Sequence, residues 1–224
     1  MKKGLSASTL KWIAICSMLI DHFAIAIYWQ MPAKTYEIYE VLRYIGRVAF
    51  PIYCFLLVEG FFYTKNIKKY IGRCLLFAFL SEIPFDMAIY GKLFFRGGQN
   101  VYFTLTLGLC TLWVLHKIKG NTARDMVYRV VCIAVGAGIA QVLNFDYHFM
   151  GILAIIMFYY CRKMLLWQKT LVGAVFFSYE VTAPLAFLPI HYYNGRRGLP
   201  LKYFFYWVYP LHLLLFGMIR MCIL

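Results

Sequence analysis

Apolar residues in this chain do not alternate with polar ones; they form long continuous runs, each closed by a short polar joint. Strict alternation would mark strands, and a wet stripe every three or four residues would mark a helix with one solvated face. An unbroken apolar run of about 20 residues is instead the length of helix that crosses a hydrocarbon core of about 30 Å. Backbone groups in lipid must find partners within their own segment or in a closed barrel, and runs without a period of two point to helices. Nine runs are predicted, over roughly 8–29, 44–63, 70–90, 101–118, 126–143, 148–162, 169–182, 184–193 and 203–222. The seventh and eighth are short and are interrupted by Pro184 and Pro189, so a re-entrant pair is an alternative and eight to ten spans is the range. The expected fold class is all-α, a polytopic membrane protein with about nine transmembrane helices in a single domain over residues 1–224.

Composition agrees with that pattern. The chain is 63% hydrophobic, 20% aromatic and 14% charged, with a mean hydropathy of +0.68. A soluble domain carries about a quarter charged residues. The net charge of +14 raises nucleic acid as a partner, but the cations sit in the joints between apolar runs, so no nucleic acid is expected. One set of joints holds Lys2, Lys3, then Lys65, Lys68, Lys69, then Lys117, Lys119, Arg124, then Arg162, Lys163, Lys169, then Arg196, Arg197, Lys202. The alternate set holds only Lys34, Lys92, Arg96 and Arg220. Cytoplasmic loops are the ones enriched in Lys and Arg. The chain is therefore expected in the cell membrane, multi-pass, with its N-terminus in the cytoplasm. The first run contains Asp21-His22 and reads as a retained helix rather than a cleaved signal. The seven cysteines lie in apolar runs without a CxxC pair and read as small hydrophobic residues.

Ionisable residues inside such runs cost several kcal/mol each and are candidates for function. Asp21 and His22 lie about two-thirds along the first run. As helix neighbours they diverge by about 100° and must reach different partners. His22 is a candidate general base, because a neutral imidazole suits proton transfer near neutral pH. Arg47, before Phe50-Pro51, is placed to hold an anionic oxygen, and Arg43 one turn earlier reads as an interfacial arginine. Glu82 and Asp86 stand at i and i+4, on one helix face, and need cations or protons. At the depth expected from their runs, Asp21, His22, Arg47, Glu82 and Asp86 fall in one outer layer, with Asp21, Glu82 or Asp86 as the expected partner of His22 and the latter two favoured by geometry. Glu59 and Arg73 read as a structural pair. Asp146 and His148 sit in a short loop on the same side. His212 follows Pro210, whose missing N–H frees a carbonyl that the imidazole is placed to satisfy. No P-loop, GxSxG, HExxH or metal-ligand cluster is present, so no metal is expected.

Six segments then carry a resemblance. They are Leu10-Lys11 through Asp21-His22, Gly46-Arg47-Val48-Ala49-Phe50-Pro51, Ser81-Glu82-Ile83-Pro84-Phe85-Asp86, Asn100-Val101-Tyr102-Phe103-Thr104-Leu105, Tyr193-Asn194-Gly195-Arg196-Arg197-Gly198, and Lys202-Tyr203-Phe204-Phe205-Tyr206 through Tyr209-Pro210-Leu211-His212-Leu213. In this order they resemble the TraX family, membrane proteins that acetylate the N-terminus of conjugative pilin. More distantly, a first span ending in histidine and followed by an arginine and a Phe-Pro helix start looks like the acyltransferase-3 group. The resemblance implies a membrane acyltransferase that takes an acetyl group from cytoplasmic acetyl-CoA. The acceptor would be an amine or hydroxyl of a peptide or glycan at the outer face. It implies His22 as the base and Arg47 as a supporting residue.

Acyl-CoA phosphates need cations, which makes Arg196, Arg197 and Lys69 candidates for donor binding. Asp146, His148 and His212 are candidates for the substrate side. A base in the outer layer and a donor from inside require a narrow internal tunnel. Two other classes stay open on sequence: a proton-coupled transporter, because intramembrane acids and histidines build relays, and a non-catalytic envelope assembly protein.

Overall fold

The computed structural model describes residues 4–223, and all side chains among them except those of Leu166, Lys202 and Ile223. Lys2 and Lys3, placed by the sequence in the first basic joint, lie outside the described residues. Ten α-helices are present among the described residues: α1 (Ala7–Ala26), α2 (Tyr36–Gly46), α3 (Ala49–Tyr63), α4 (Ile67–Tyr90), α5 (Val101–Lys117), α6 (Ala123–Val142), α7 (His148–Cys161), α8 (Leu166–Phe176), α9 (Phe187–His191) and α10 (Lys202–Ile223). Short 3₁₀ turns lie at Tyr28–Gln30 and Ala183–Ala186.

Caps explain several boundaries. Ser6 accepts from the Thr9 amide, Asn66 from Lys69, and Asn100 from Tyr102. Thr122 and Asp125 form a reciprocal capping box at the start of α6. Each satisfies amides that a helix N-terminus leaves without partners. Gly91, at φ 65°, ends α4 in the left-handed region that glycine adopts without penalty.

Four stretches are long and apolar enough to cross a membrane: Ala7–Gln30, Tyr36–Tyr63, Ala123–Val142 and Tyr203–Cys222. Helix α4 has 24 residues but carries Lys68, Lys69, Arg73, Glu82 and Asp86, and α5 and α7 are shorter apolar helices. Two expectations change. The second run does not start at residue 44: α2 begins at Tyr36, and the chain turns at Arg47-Val48 before α3. The eighth run is no span, because a 3₁₀ turn and a five-residue helix replace it. Pro184 and Pro189 remove amides from a segment too short to absorb the loss.

Side-chain contacts fix the helix directions. Trp12 meets Phe204 and Phe205, and Phe23 meets Phe216, so α1 and α10 run parallel. Phe77 packs on Tyr206 and Trp207, while Arg220 reaches the Ala88 and Ile89 carbonyls at 2.9 and 2.7 Å, so α4 runs parallel to α10 as well. A side chain at Gly217 would run into Met87, which shows how closely these two backbones approach. Helix α3 runs the opposite way, with Tyr53 against Met18. At one end of the bundle, Phe61 and Phe62 of α3 meet His116 of α5 and Tyr159 of α7. The carboxylate of Glu59 there accepts from Arg162 at 2.8 Å. Arg162, not Arg73, is thus the partner of Glu59. Lys65 and Lys163 sit in the joints at this basic end, with Lys68 in the first turn of α4 and Lys117 in the last turn of α5. The core between the layers is aliphatic and aromatic, with Leu10, Ile52, Leu109, Leu112, Ile152 and Ile155 fully buried. Of the cysteines, Cys54, Cys74 and Cys161 are buried as expected, whereas Cys16 and Cys222 face outward on apolar helices.

Candidate functional site

The segment after α9 docks on the start of α1. Leu5 donates to the Tyr192 carbonyl, and Asn194 returns a bond to the Leu5 carbonyl, at 2.8 and 2.9 Å. The carbonyls of Arg196 and Arg197 accept from Ala7 and Ser8, the first amides of α1. Gly195 and Gly198 adopt φ 77° and 72°, which lets the chain turn back tightly enough to present both carbonyls. The polar Tyr193-Asn194-Gly195-Arg196-Arg197-Gly198 segment therefore caps α1 and fixes one wall of a cavity.

That cavity measures about 540 Å³ and lies between α1, α3, α4, α5 and α10. Its basic end is lined by Lys11, Arg73, Arg197 and Glu59. Its opposite end is lined by Asp21, His22, Asp146 and Tyr147. Along α1, Lys11 and His22 are separated by about 16 Å of helix rise. Tyr53, Tyr70, Tyr102, Tyr206 and Tyr209 line the passage between them. Among the described residues, the Tyr209 hydroxyl donates to no protein acceptor, and neither does Nε of Arg73. Both are donors available to a ligand, because a buried polar group without a partner is costly unless something fills that role.

Asp21 and His22 diverge, as neighbours on a helix must. One oxygen of Asp21 accepts from Arg43 at 2.6 Å, while its second oxygen is buried without a partner. A Cβ on Gly46 would collide with the Asp21 carboxylate. Glycine there lets the end of α2 press against α1, where Ser17 donates to the Ile45 and Gly46 carbonyls at 2.6 and 3.0 Å. Arg43 is thus drawn inward to Asp21 and is not an interfacial arginine. Arg47 pairs with Glu180 at 2.9 Å and meets Tyr147. The Tyr147 ring stacks on Phe50 at 3.6 Å, roofing this end of the cavity.

Asp146 sits in the joint before α7, and the joint is held tightly. The Gln99 amide donates to the Asn144 carbonyl and the Asp146 amide donates to the Gln99 carbonyl, and Thr104 donates to the Asp146 carbonyl at 2.5 Å. Asn144, Tyr147 and His148 all have positive φ, at 52°, 62° and 45°. Three non-glycine residues in the left-handed region within five positions store strain of the kind that concentrates at functional sites. Burial, with the nearby charge of Asp21, pushes the Asp146 carboxyl up to about 6.

Several expectations are not met by the geometry. Glu82 accepts from the Asn100 side chain at 2.5 Å, and Asp86 accepts from the Phe95 amide at 2.7 Å. Neither lines the cavity, and neither reaches His22. The two do share a helix face, but that face turns toward the 91–100 joint folding back over the end of α4. Depth along a helix is legible in sequence, whereas azimuth is set by packing. The expected single layer of five groups is therefore divided. His22 instead meets His212, with Nδ1 of the first 2.6 Å from Nε2 of the second. Nδ1 of His212 lies 2.7 Å from the Val208 carbonyl. The carbonyl freed by Pro210 belongs to Tyr206, and the Tyr102 hydroxyl donates to it at 3.3 Å. Arg197 lines the cavity, whereas Arg196 and Lys69 do not. His148 is exposed and points away from the cavity lining. Residues that sequence reasoning passed over include Lys11, Tyr53, Tyr102, Tyr147, Glu180 and Tyr209. Their signal was a hydroxyl or charge within an apolar run, diluted among 19 tyrosines.

No solved structure matches the chain. A curated protein of Dichelobacter nodosus, named "Probable fimbrial assembly protein FimC, serogroup H1", is 31% identical over 239 aligned positions, which cover 94% of this chain and 93% of that protein. The family model described as "TraX protein" matches residues 6–220. That match takes in the whole cavity, from Ala7 to Tyr209, and the chain belongs to the TraX family.

Proposed function

We propose that this protein is a multi-pass membrane acyltransferase with a cytoplasmic N-terminus, moving an acetyl group from acetyl-CoA to an amine or hydroxyl of an envelope acceptor. One observation carries the reading: a single cavity joins a basic end to a histidine about 16 Å away along α1. The basic end, with Lys11, Arg73 and Arg197, suits the phosphates of a coenzyme A ester. A cavity of about 540 Å³ accommodates a pantetheine arm and a small acyl group, while the nucleotide stays at the mouth. The exposed faces of α6, with Val127, Val131, Val135 and Ile139 outward, suit contact with lipid.

The chemistry follows from what surrounds His22. The acceptor N–H or O–H gives its proton to His22 as its heteroatom bonds to the thioester carbon. The carbonyl oxygen gains charge, and the Tyr209 hydroxyl, on a ring 5.9 Å from that of His22, is the donor proposed to receive it. One such preorganised donor contributes about 3–4 kcal/mol. The carbon–sulfur bond then breaks, and the thiolate takes the proton back from His22. Asp21 and Asp146 line the same end, where a carboxyl oxygen can accept from an N–H or O–H of the neutral acceptor. Arg47, locked on Glu180, supports the roof through Tyr147 rather than the reacting oxygen.

The name of the relative supports a second reading, an assembly role without catalysis, and a pilus subunit as the partner. Purified protein in nanodiscs, given labelled acetyl-CoA and a panel of envelope acceptors including pilin subunits, separates the two. Transfer that falls about 10²–10⁴-fold in His22→Ala supports the enzyme. Stable binding of a pilus subunit with no transfer to any acceptor supports the assembly role.

A further inference from the structure

We propose that His212 is a positioning residue: it fixes the tautomer of His22 and receives its second proton, so that the two histidines and the Val208 carbonyl form one directed relay. The inference deepens the acyltransfer reading and rests on it for the role of the proton, though not for the geometry.

The direction follows from hydrogen-bond bookkeeping. A backbone carbonyl only accepts, so Nδ1 of His212, 2.7 Å from the Val208 oxygen, carries a proton. In a neutral ring the other nitrogen is then bare. Nε2 of His212 therefore accepts, and Nδ1 of His22, 2.6 Å away, is the donor. With Nδ1 protonated, the lone pair of His22 is on Nε2. His22 lines the cavity and His212 does not, which leaves Nε2 as the basic atom offered to a substrate. The rings make an angle of 6° with centroids 4.9 Å apart. That separation is what two ring radii and one hydrogen bond add up to, so the rings lie edge to edge in a common plane and the bond is well aligned.

The surroundings leave few other partners. Tyr209 stands edge-on to both rings, at 5.9 and 5.7 Å, and Phe216 covers His212 at 5.7 Å. Beside His22 on α1, Asp21 is engaged with Arg43. The task that a carboxylate performs in many catalytic triads, holding the imidazole by its far nitrogen, falls here to a second imidazole. When Nε2 of His22 takes the acceptor proton, its Nδ1–H bond breaks and an Nε2–H bond forms on His212. The charge then rests on His212, whose Nδ1–H still donates to Val208. The transfer reverses as the thiolate leaves and takes the proton from Nε2 of His22. No net charge remains after a turnover.

Nitrogen-15 NMR of histidine-labelled protein in bilayers tests the arrangement without an activity assay. His116, His148 and His191 line no part of the cavity and are replaced by Gln to leave two reporting rings. Both rings at a pH where they are neutral should show protonated Nδ1 and bare Nε2. A ring at position 22 protonated on Nε2 in this protein overturns the proposal. In His212→Leu, His22 should revert to the Nε2–H tautomer and the transfer rate should fall about 10²-fold. His212→Gln retains an acceptor oxygen, so it should keep the tautomer and recover about tenfold of that loss. Equal tautomers in the Leu and Gln variants would also overturn it. The expected tautomers without transfer to any acceptor would uphold the relay and sink the acyltransfer reading instead.

Discussion

Residue identity alone pointed to His22, and physical reasoning about helix neighbours required Asp21 to go elsewhere. It goes to Arg43, the arginine expected at the lipid interface. What the sequence could not show is that the partner of His22 lies 190 positions away, on α10. Asp146 carries a prediction of its own. Its carboxyl is pushed from 3.8 up to about 6, first by burial and next by the charge of Asp21. The folded protein thus holds a proton across a window in which the unfolded chain has lost it. Stability is greatest below about 4 and falls as pH rises toward about 6. Asp146→Asn has no charge to bury and keeps the oxygen that accepts from the Tyr147 amide at 3.0 Å. Thermal unfolding in detergent should therefore be flatter with pH in the variant, and the variant should be the more stable protein above pH 6. A wild-type profile that rises through that window contradicts the burial account.

Helix starts were legible to within three residues where short polar side chains cap them, as at Ser6, Asn66, Asn100 and Thr122. Helix α2 was not, because its Glu37, Glu40 and Arg43 broke the apolar pattern that the rest of the chain obeys. The face of α4 was also hidden. Glu82 and Asp86 follow the i, i+4 rule, yet their side turns to the 91–100 joint and not to the cavity. The Tyr193-Asn194-Gly195-Arg196-Arg197-Gly198 segment shows the same limit from the other direction. Adjacent arginines look equivalent in sequence, but only Arg197 reaches the cavity while both carbonyls cap α1. Charge reversal separates them. Arg197→Glu should weaken acetyl-CoA binding by about tenfold, the equivalent of about 1.4 kcal/mol. Arg196→Glu should leave it nearly unchanged, since its side chain is off the cavity and its carbonyl is untouched. Titration calorimetry in nanodiscs reads both. Equal losses would move the donor phosphates out of the cavity mouth and onto the surface.

At the scale of the molecule, the alternating charge of the joints and the direction of the helices describe one polarity. Helices α1, α4 and α10 start at the end where Glu59 meets Arg162, and α3 runs back toward it. The segment between α8 and α9 belongs to the opposite end, where Glu180 meets Arg47, before the chain returns to Leu5 at Tyr192. Along α3, Ala49, two residues after Arg47, and Glu59 are separated by about 15 Å of helix rise, well short of a hydrocarbon core of about 30 Å. The cavity joins the two charged layers and gives their polar groups a space to face. If basic joints are retained in the cytoplasm, the whole set of Lys and Arg at one end fixes the orientation together. Reporter fusions then give a sharp expectation. A fusion after Lys119, in the joint between α5 and α6, should read as cytoplasmic. A fusion after Gly97, in the joint between α4 and α5, should read as extracytoplasmic. Reversed readings would turn the molecule over, place Arg197 and Arg73 on the outer side, and remove cytoplasmic acetyl-CoA as the donor. The same compartment at both positions would mean that α5 does not cross, and the cavity would then open to one side only.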